Sequence, residues 1–89
     1  MKHAGPAALE TLVPLLEKVR KRTALREKSK GCFYWKSKGF LHFHEDPAGM
    51  FADVRLGADF TRMRVSTKAE QKALLEAVDR FFLEASGAH

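Results

Sequence analysis

The stretch from Cys32 to Ser66 constrains this chain more than any other. Four segments, "CFYWK", "FLHFHE", "MFADVRL" and "DFTRMRVS", are rich in aromatic and β-branched residues, and "SKG", "DPAG" and "GA" separate them. Such segments favour extended backbone, and the separators carry turn-forming residues. Paired in order, they predict a four-stranded antiparallel meander. A three-residue turn at Ser37-Lys38-Gly39 would set Lys36 against Phe40, Tyr34 against His42 and Cys32 against His44. A turn at Asp46-Pro47-Ala48-Gly49 pairs Glu45 with Met50, His44 with Phe51, His42 with Asp53 and Phe40 with Arg55. The Gly57-Ala58 turn then sets Arg55 against Phe60, Asp53 against Arg62 and Phe51 against Arg64.

This register sorts the side chains by chemistry. One face receives Phe33, Trp35, Leu41, Phe43, Met50, Ala52, Val54, Leu56, Met63 and Val65, with Thr61. The other receives three rows: Cys32–His44–Phe51–Arg64, Tyr34–His42–Asp53–Arg62 and Lys36–Phe40–Arg55–Phe60. A slip of one residue would mix the two sets, so the segregation itself argues for the register. The first face is the core. The second is a mixed aromatic, basic and histidine surface where function is to be sought.

Helices flank the strands. Leu9, Leu12, Val13, Leu16 and Val19 recur at helical spacing. Pro14 conflicts with an uninterrupted helix unless it lies in a first turn, with Thr11 as N-cap. The alternative is a kinked helix that begins near Pro6. Gly31 is the expected helix stop. After the strands, Thr67 and Glu70 of "TKAE" form a capping box, and Leu74, Leu75, Val78, Phe81, Phe82 and Ala85 share one side of a final helix that Gly87 closes. The prediction is a single α+β domain over residues 1–89, two-layered, with both helices on one face of the sheet.

Composition narrows the function classes. Hydrophobic residues make up 45% of the 89, enough for one packed core but not two. No apolar run approaches the roughly 18–20 residues of a membrane span. Glu10 and Glu17 interrupt the N-terminal apolar stretch, unlike a secretory signal. Cys32 is the only cysteine, which suits a reducing cytoplasm. The formal net charge is +5, and residues 18 to 30 hold seven basic residues against one Glu. A block of this kind forms a solvated helix face or part of an anion-binding surface.

Three chemistries compete for the polar face. Tyr34, Phe40, Phe51 and Phe60 could stack on bases, while Lys36, Arg55, Arg62 and Arg64 could meet phosphates. With His42, His44 and Asp53 they form the expected binding face for nucleic acid or a phosphorylated or carboxylated small molecule. The aromatic rings could instead pack a homodimer. Cys32, His42 and His44, with Asp53 near, are ligand types for zinc or iron, although Arg62 and Arg64 oppose a cation there. Cys32 beside His44, or Tyr34–His42–Asp53, imitates a nucleophile or base arrangement, but no oxyanion-stabilising element accompanies it. The sequence has no P-loop, GxSxG or dinucleotide fingerprint, so no cofactor is expected and binding is favoured over catalysis.

The segment "GCFYWKSKGFLHFHEDPAGMFADVRL", residues 31 to 56, resembles small bacterial α+β proteins of the YjbR/YdhG-like kind, in which a helix precedes an "aromatic-x-x-K-x-K/G-aromatic" hairpin and further antiparallel strands. The resemblance covers about a third of the chain and implies the α+β fold. It carries over no functional residue.

Overall fold

Alternation along the longest strand organises the molecule. In the computed structural model, which describes residues 1–87, the elements run β1 (Lys2–His3), α1 (Pro6–Thr11), α2 (Val13–Arg20), β2 (Arg26–Ser29), β3 (Cys32–Trp35), β4 (Lys38–Asp46), β5 (Gly49–Arg55), β6 (Phe60–Arg64) and α3 (Lys68–Gly87). All strand pairs are antiparallel, in the order β2-β3-β4-β5-β6, with β1 paired to β4 outside that path. The α+β class and antiparallel sheet are as expected from the sequence. The counts are not: the sheet has six strands rather than four, and there are three helices rather than two.

The N-terminal helix divides at Leu12, whose φ of −101° and ψ of 7° leave the helical region. Pro6 starts α1 and Pro14 sits in the first turn of α2, where a missing N–H costs nothing. The kinked alternative therefore holds. Thr11 is not an N-cap, because its Oγ1 donates to the Ala8 carbonyl at 2.6 Å. Leu9, Leu12, Leu15, Leu16 and Val19 are all buried.

The helix also stops earlier than expected. Residues 26–29, "REKS", have little intrinsic strand preference, yet they form an edge strand against β3 (Arg26↔Tyr34, Glu27↔Phe33). Tertiary contacts decide this. Glu27 accepts Arg20 Nε at 2.6 Å and the Gly31 amide at 2.9 Å, which ties β2 to the end of α2 and to its own turn. Gly31 is thus a hairpin residue, with φ of +80°. A Cβ there would lie 2.8 Å from Leu9 Cδ2, so a side chain would strike the core as well as strain the turn.

The β4–β5–β6 registers are those read from the sequence, from Glu45↔Met50 through Arg55↔Phe60, except that the β4–β5 ladder ends at Leu41↔Val54 without the expected Phe40–Arg55 pair. The β3–β4 register is not. The turn there is Lys36-Ser37, with positive φ at both residues, and the ladder shifts between Phe33↔Leu41 and Tyr34↔Gly39. Phe40 is the extra residue. It points into the core at 1% exposure, with ring centroids 5.3 and 5.4 Å from Phe81 and Phe82. Burying a phenylalanine contributes about 1.5–3 kcal/mol. A ladder hydrogen bond lost at a bulge costs about 0.5–1.5 kcal/mol. The bulge therefore wins over a regular strand that would expose the ring.

One hydrophobic cluster joins Leu9, Leu12, Leu15, Leu16 and Val19 of the N-terminal segment to Phe33, Phe40, Leu41, Phe43, Ala52, Val54 and Val65, and to Leu74 and Val78 of α3. The helices thus share the apolar face of the sheet. The Thr67–Glu70 capping box forms as read: the Glu70 amide donates to Thr67 Oγ1 at 3.1 Å, and the Thr67 amide to Glu70 Oε1 at 3.0 Å. Ala85 is exposed, outside the apolar stripe expected to include it. Among the described residues no helix is long and apolar enough to cross a membrane.

The bulge makes a measurable claim. Phe40→Ala should lower unfolding stability by about 3–5 kcal/mol, as for a core aromatic. A loss below about 0.5 kcal/mol in urea denaturation would instead mark Phe40 as a surface residue.

Candidate metal centre

Residues two apart on a strand point to the same side. With Leu41 and Phe43 committed to the core, His42 and His44 must project from the opposite face. Asp53 lies directly across from His42 on β5, and Arg62 directly across from Asp53 on β6. These four groups meet around one carboxylate. Asp53 Oδ2 is 3.0 Å from His44 Nε2 and 3.5 Å from His42 Nε2. Arg62 donates Nε to Oδ1 at 2.7 Å and Nη2 to Oδ2 at 2.8 Å.

A third histidine completes the cluster. β1 places His3 opposite His44, and its ring lies 4.7 Å from that of His44 and 5.6 Å from that of His42. No periodicity can reveal a two-residue strand, so nothing in the sequence marked His3. Two further bonds from the residues after β1 hold it to β4: the Ala4 amide donates to the Phe43 carbonyl at 3.0 Å, and the Gly5 amide to Glu45 Oε2 at 2.7 Å. Glu45 thus turns toward the sheet margin, away from the histidines.

His44 carries an anomaly. It is only 9% exposed, and both ring nitrogens are buried without a hydrogen-bond partner among the described residues. The 3.0 Å approach of Nε2 to Asp53 is close in distance but wrong in direction for a hydrogen bond. A buried polar group left without a partner costs about 1–3 kcal/mol.

Burial is the main cause that holds the His42 imidazole below the usual histidine range. His44, His3 and Arg62 act in the same direction, and only Asp53 opposes them. The hydrogen bonds from Arg62 hold the Asp53 carboxyl below the usual carboxylate range, against its own burial. Near neutrality the site therefore presents an ionised carboxylate and a neutral His42, the forms in which both residues bind metals.

Of the other expected site residues, Phe51 and Phe60 border this centre and the rest do not join it. Cys32 pairs with Ser29 of β2 instead of facing His44, because the shifted β3 register leaves that position to β1. It shares only a groove of about 150 Å³ with His3, Tyr34, Gly39, Leu41 and His42. Tyr34 faces Gly39 instead of His42, and Lys36 sits in the turn. Phe40 is in the core. Phe51 remains half-buried beside His44, and Phe60 packs edge-on against His42 at 5.0 Å. The arginines are engaged within the chain. Arg55 donates to the Gly39 and Ala58 carbonyls and lies 4.3 Å over the Phe60 ring, while Arg64 donates to Glu70 and to the Ala48 carbonyl.

No family model, curated protein or solved structure matches this chain.

The electrostatics give a pH dependence for the metal-free protein. Because the folded pKa of His42 lies below 6.5, the unfolded chain takes up this proton first as pH falls. Stability should decline from about pH 6.5 downward until the folded pKa is passed, and His42→Asn should flatten that part of the profile. Denaturant midpoints across this window that track identically in both proteins would refute the assignment.

Proposed function

We propose that the chain binds a divalent first-row metal ion, zinc or iron(II), through His42, His44 and Asp53. One observation carries the reading: three ligand atoms lie within 4.8 Å of one another, and one of the residues, His44, holds buried nitrogens with no other partner. Metal–nitrogen and metal–oxygen bonds of about 2.0–2.2 Å imply ligand atoms about 3.3 Å apart in a tetrahedral site. Two of the three separations, from the nitrogens to the carboxylate, are 3.0 and 3.5 Å and bracket that value, and all three atoms lie within 4.8 Å of one another. Two imidazoles and one carboxylate suit zinc, or iron(II) with open positions. Arg62 bonds both carboxylate oxygens, and ligating carboxylates are ordinarily hydrogen-bonded in this way. Its charge opposes the ion, so moderate affinity is expected.

This reading starts from firmer ground than anion binding or dimerisation through the same surface. Those readings relied on four free rings and three free arginines. Phe40 is in the core, and Arg55, Arg62 and Arg64 already have partners. A reducing intracellular setting, which Cys32 suits, would keep iron in its ferrous form.

Calorimetric titration of chelator-treated protein near neutral pH should give one zinc per chain. His42→Ala and His44→Ala should each weaken binding at least about tenfold, since even loss of a ligand's outer hydrogen-bond partner costs about 10–100-fold. Affinity that survives in both folded variants, or substoichiometric uptake by the native chain, would sink the proposal.

A further inference from the structure

Most arginines of this protein are neutralised internally, but several cations are not. Arg20 pairs with Glu27, Arg22 with Asp79, Arg62 with Asp53 and Arg64 with Glu70. Arg26, Lys28 and Lys36 have no acidic partner among the described residues. They converge on a groove of about 250 Å³ at the β2–β3 edge, lined by Ala24, Arg26, Lys28, Tyr34, Lys36 and Ser37. That lining carries three cations, two hydroxyls and no acid. Arg26 stands directly across from Tyr34, and although the ladder shifts between Glu27 and Ser29, Lys28 also lines this groove, its ammonium over the Tyr34 ring. Glu27, the one acid of the strand, points away and is occupied by Arg20 and the Gly31 amide.

The turn adds a second observation. Lys36 and Ser37 form a two-residue hairpin connection with φ of 51° and 70°, where Asn-Gly is the favoured pair. Holding non-glycine residues there costs energy that a more suitable turn sequence would avoid. The result is that Lys36 and Ser37 both line the groove. Lys28 lies 4.5 Å over the Tyr34 ring and Lys36 4.8 Å over the Trp35 ring. Exposed contacts of this kind are worth only about 0.5–1 kcal/mol, so either ammonium can be drawn off by an anion.

We infer that this groove binds the phosphate group of a small phosphate ester. Arg26 would supply the planar fork that matches phosphate oxygens, Lys28 and Lys36 point charges, and Ser37 and Tyr34 hydroxyl donors. The volume suits one phosphoryl group with a sugar or ring. It does not suit a nucleic-acid strand, whose successive bases need a row of open aromatic platforms. Here Phe40 is buried and Arg55 covers Phe60.

The test is an amide-resolved NMR titration of the full chain with AMP and, separately, with inorganic phosphate, at low and at about 150 mM salt. Saturable AMP shifts at Arg26, Lys28, Tyr34 and Ser37 that persist at the higher salt are expected. Arg26→Gln and Lys28→Gln, both at exposed positions, should each weaken binding about tenfold without changing the melting temperature, the loss of one charged hydrogen bond. Three outcomes would overturn the inference: no saturable shift with either probe, shifts abolished by the higher salt, or variants that bind as tightly as the native chain. An oligo-dT that shifts Phe51 and Phe60 when AMP shifts nothing would also overturn it, in favour of a strand-binding face.

Discussion

The alternation of β4 is the constraint on which the rest depends. Leu41 and Phe43 are 1% and 3% exposed, and their burial commits the strand's other side to His42 and His44. A sheet covered by helices on one face can pack only one of the two sets into the helical core. Two imidazoles are thereby placed side by side with a carboxylate from the next strand. Once β5 and β6 join in register, Asp53 and Arg62 follow without further choice. The polar cluster is a direct product of how the apolar core is packed.

Asp53 is the centre of that cluster. It is 8% exposed, and a carboxylate so buried must be compensated. Arg62 does this with two hydrogen bonds, which leaves the histidines unneeded for neutralisation. That explains how His44 can be packed tightly against the same carboxylate and still make no hydrogen bond to it. The arrangement supports coordination better than it supports a purely structural role. A structural histidine is normally satisfied by its neighbours.

Charge is distributed to a similar effect over the whole molecule. The +5 balance suggests a broad basic surface, yet most arginines cross-link elements of the fold: Arg20 fastens α2 to β2, Arg22 reaches Asp79 of α3, and Arg64 reaches the first turn of that helix. Among the cations left without an acid, Arg26, Lys28 and Lys36 gather at the β2–β3 edge. Tyr34 lines both the basic groove there and the small groove beside His42, so the two candidate sites are neighbours on one face.

By itself the sequence determined the α+β class, the β4–β5–β6 register, the core face of those strands and the capping box of α3. It could do so because strand periodicity and short-range turn and cap chemistry are written in neighbouring residues. It also brought His42, His44, Asp53 and Arg62 together, since direct cross-strand partners follow from register alone. Only the tertiary structure decided the remainder. β2 is drawn into the sheet by Arg20 and Gly31 contacts rather than by its own composition. Phe40 leaves the polar face because Phe81 and Phe82, some forty residues later, offer it an apolar socket. His3 reaches His44 because β4 extends beyond β3 and its free edge needs a partner. Each of these depends on contacts between residues distant along the chain, and local pattern holds no record of them.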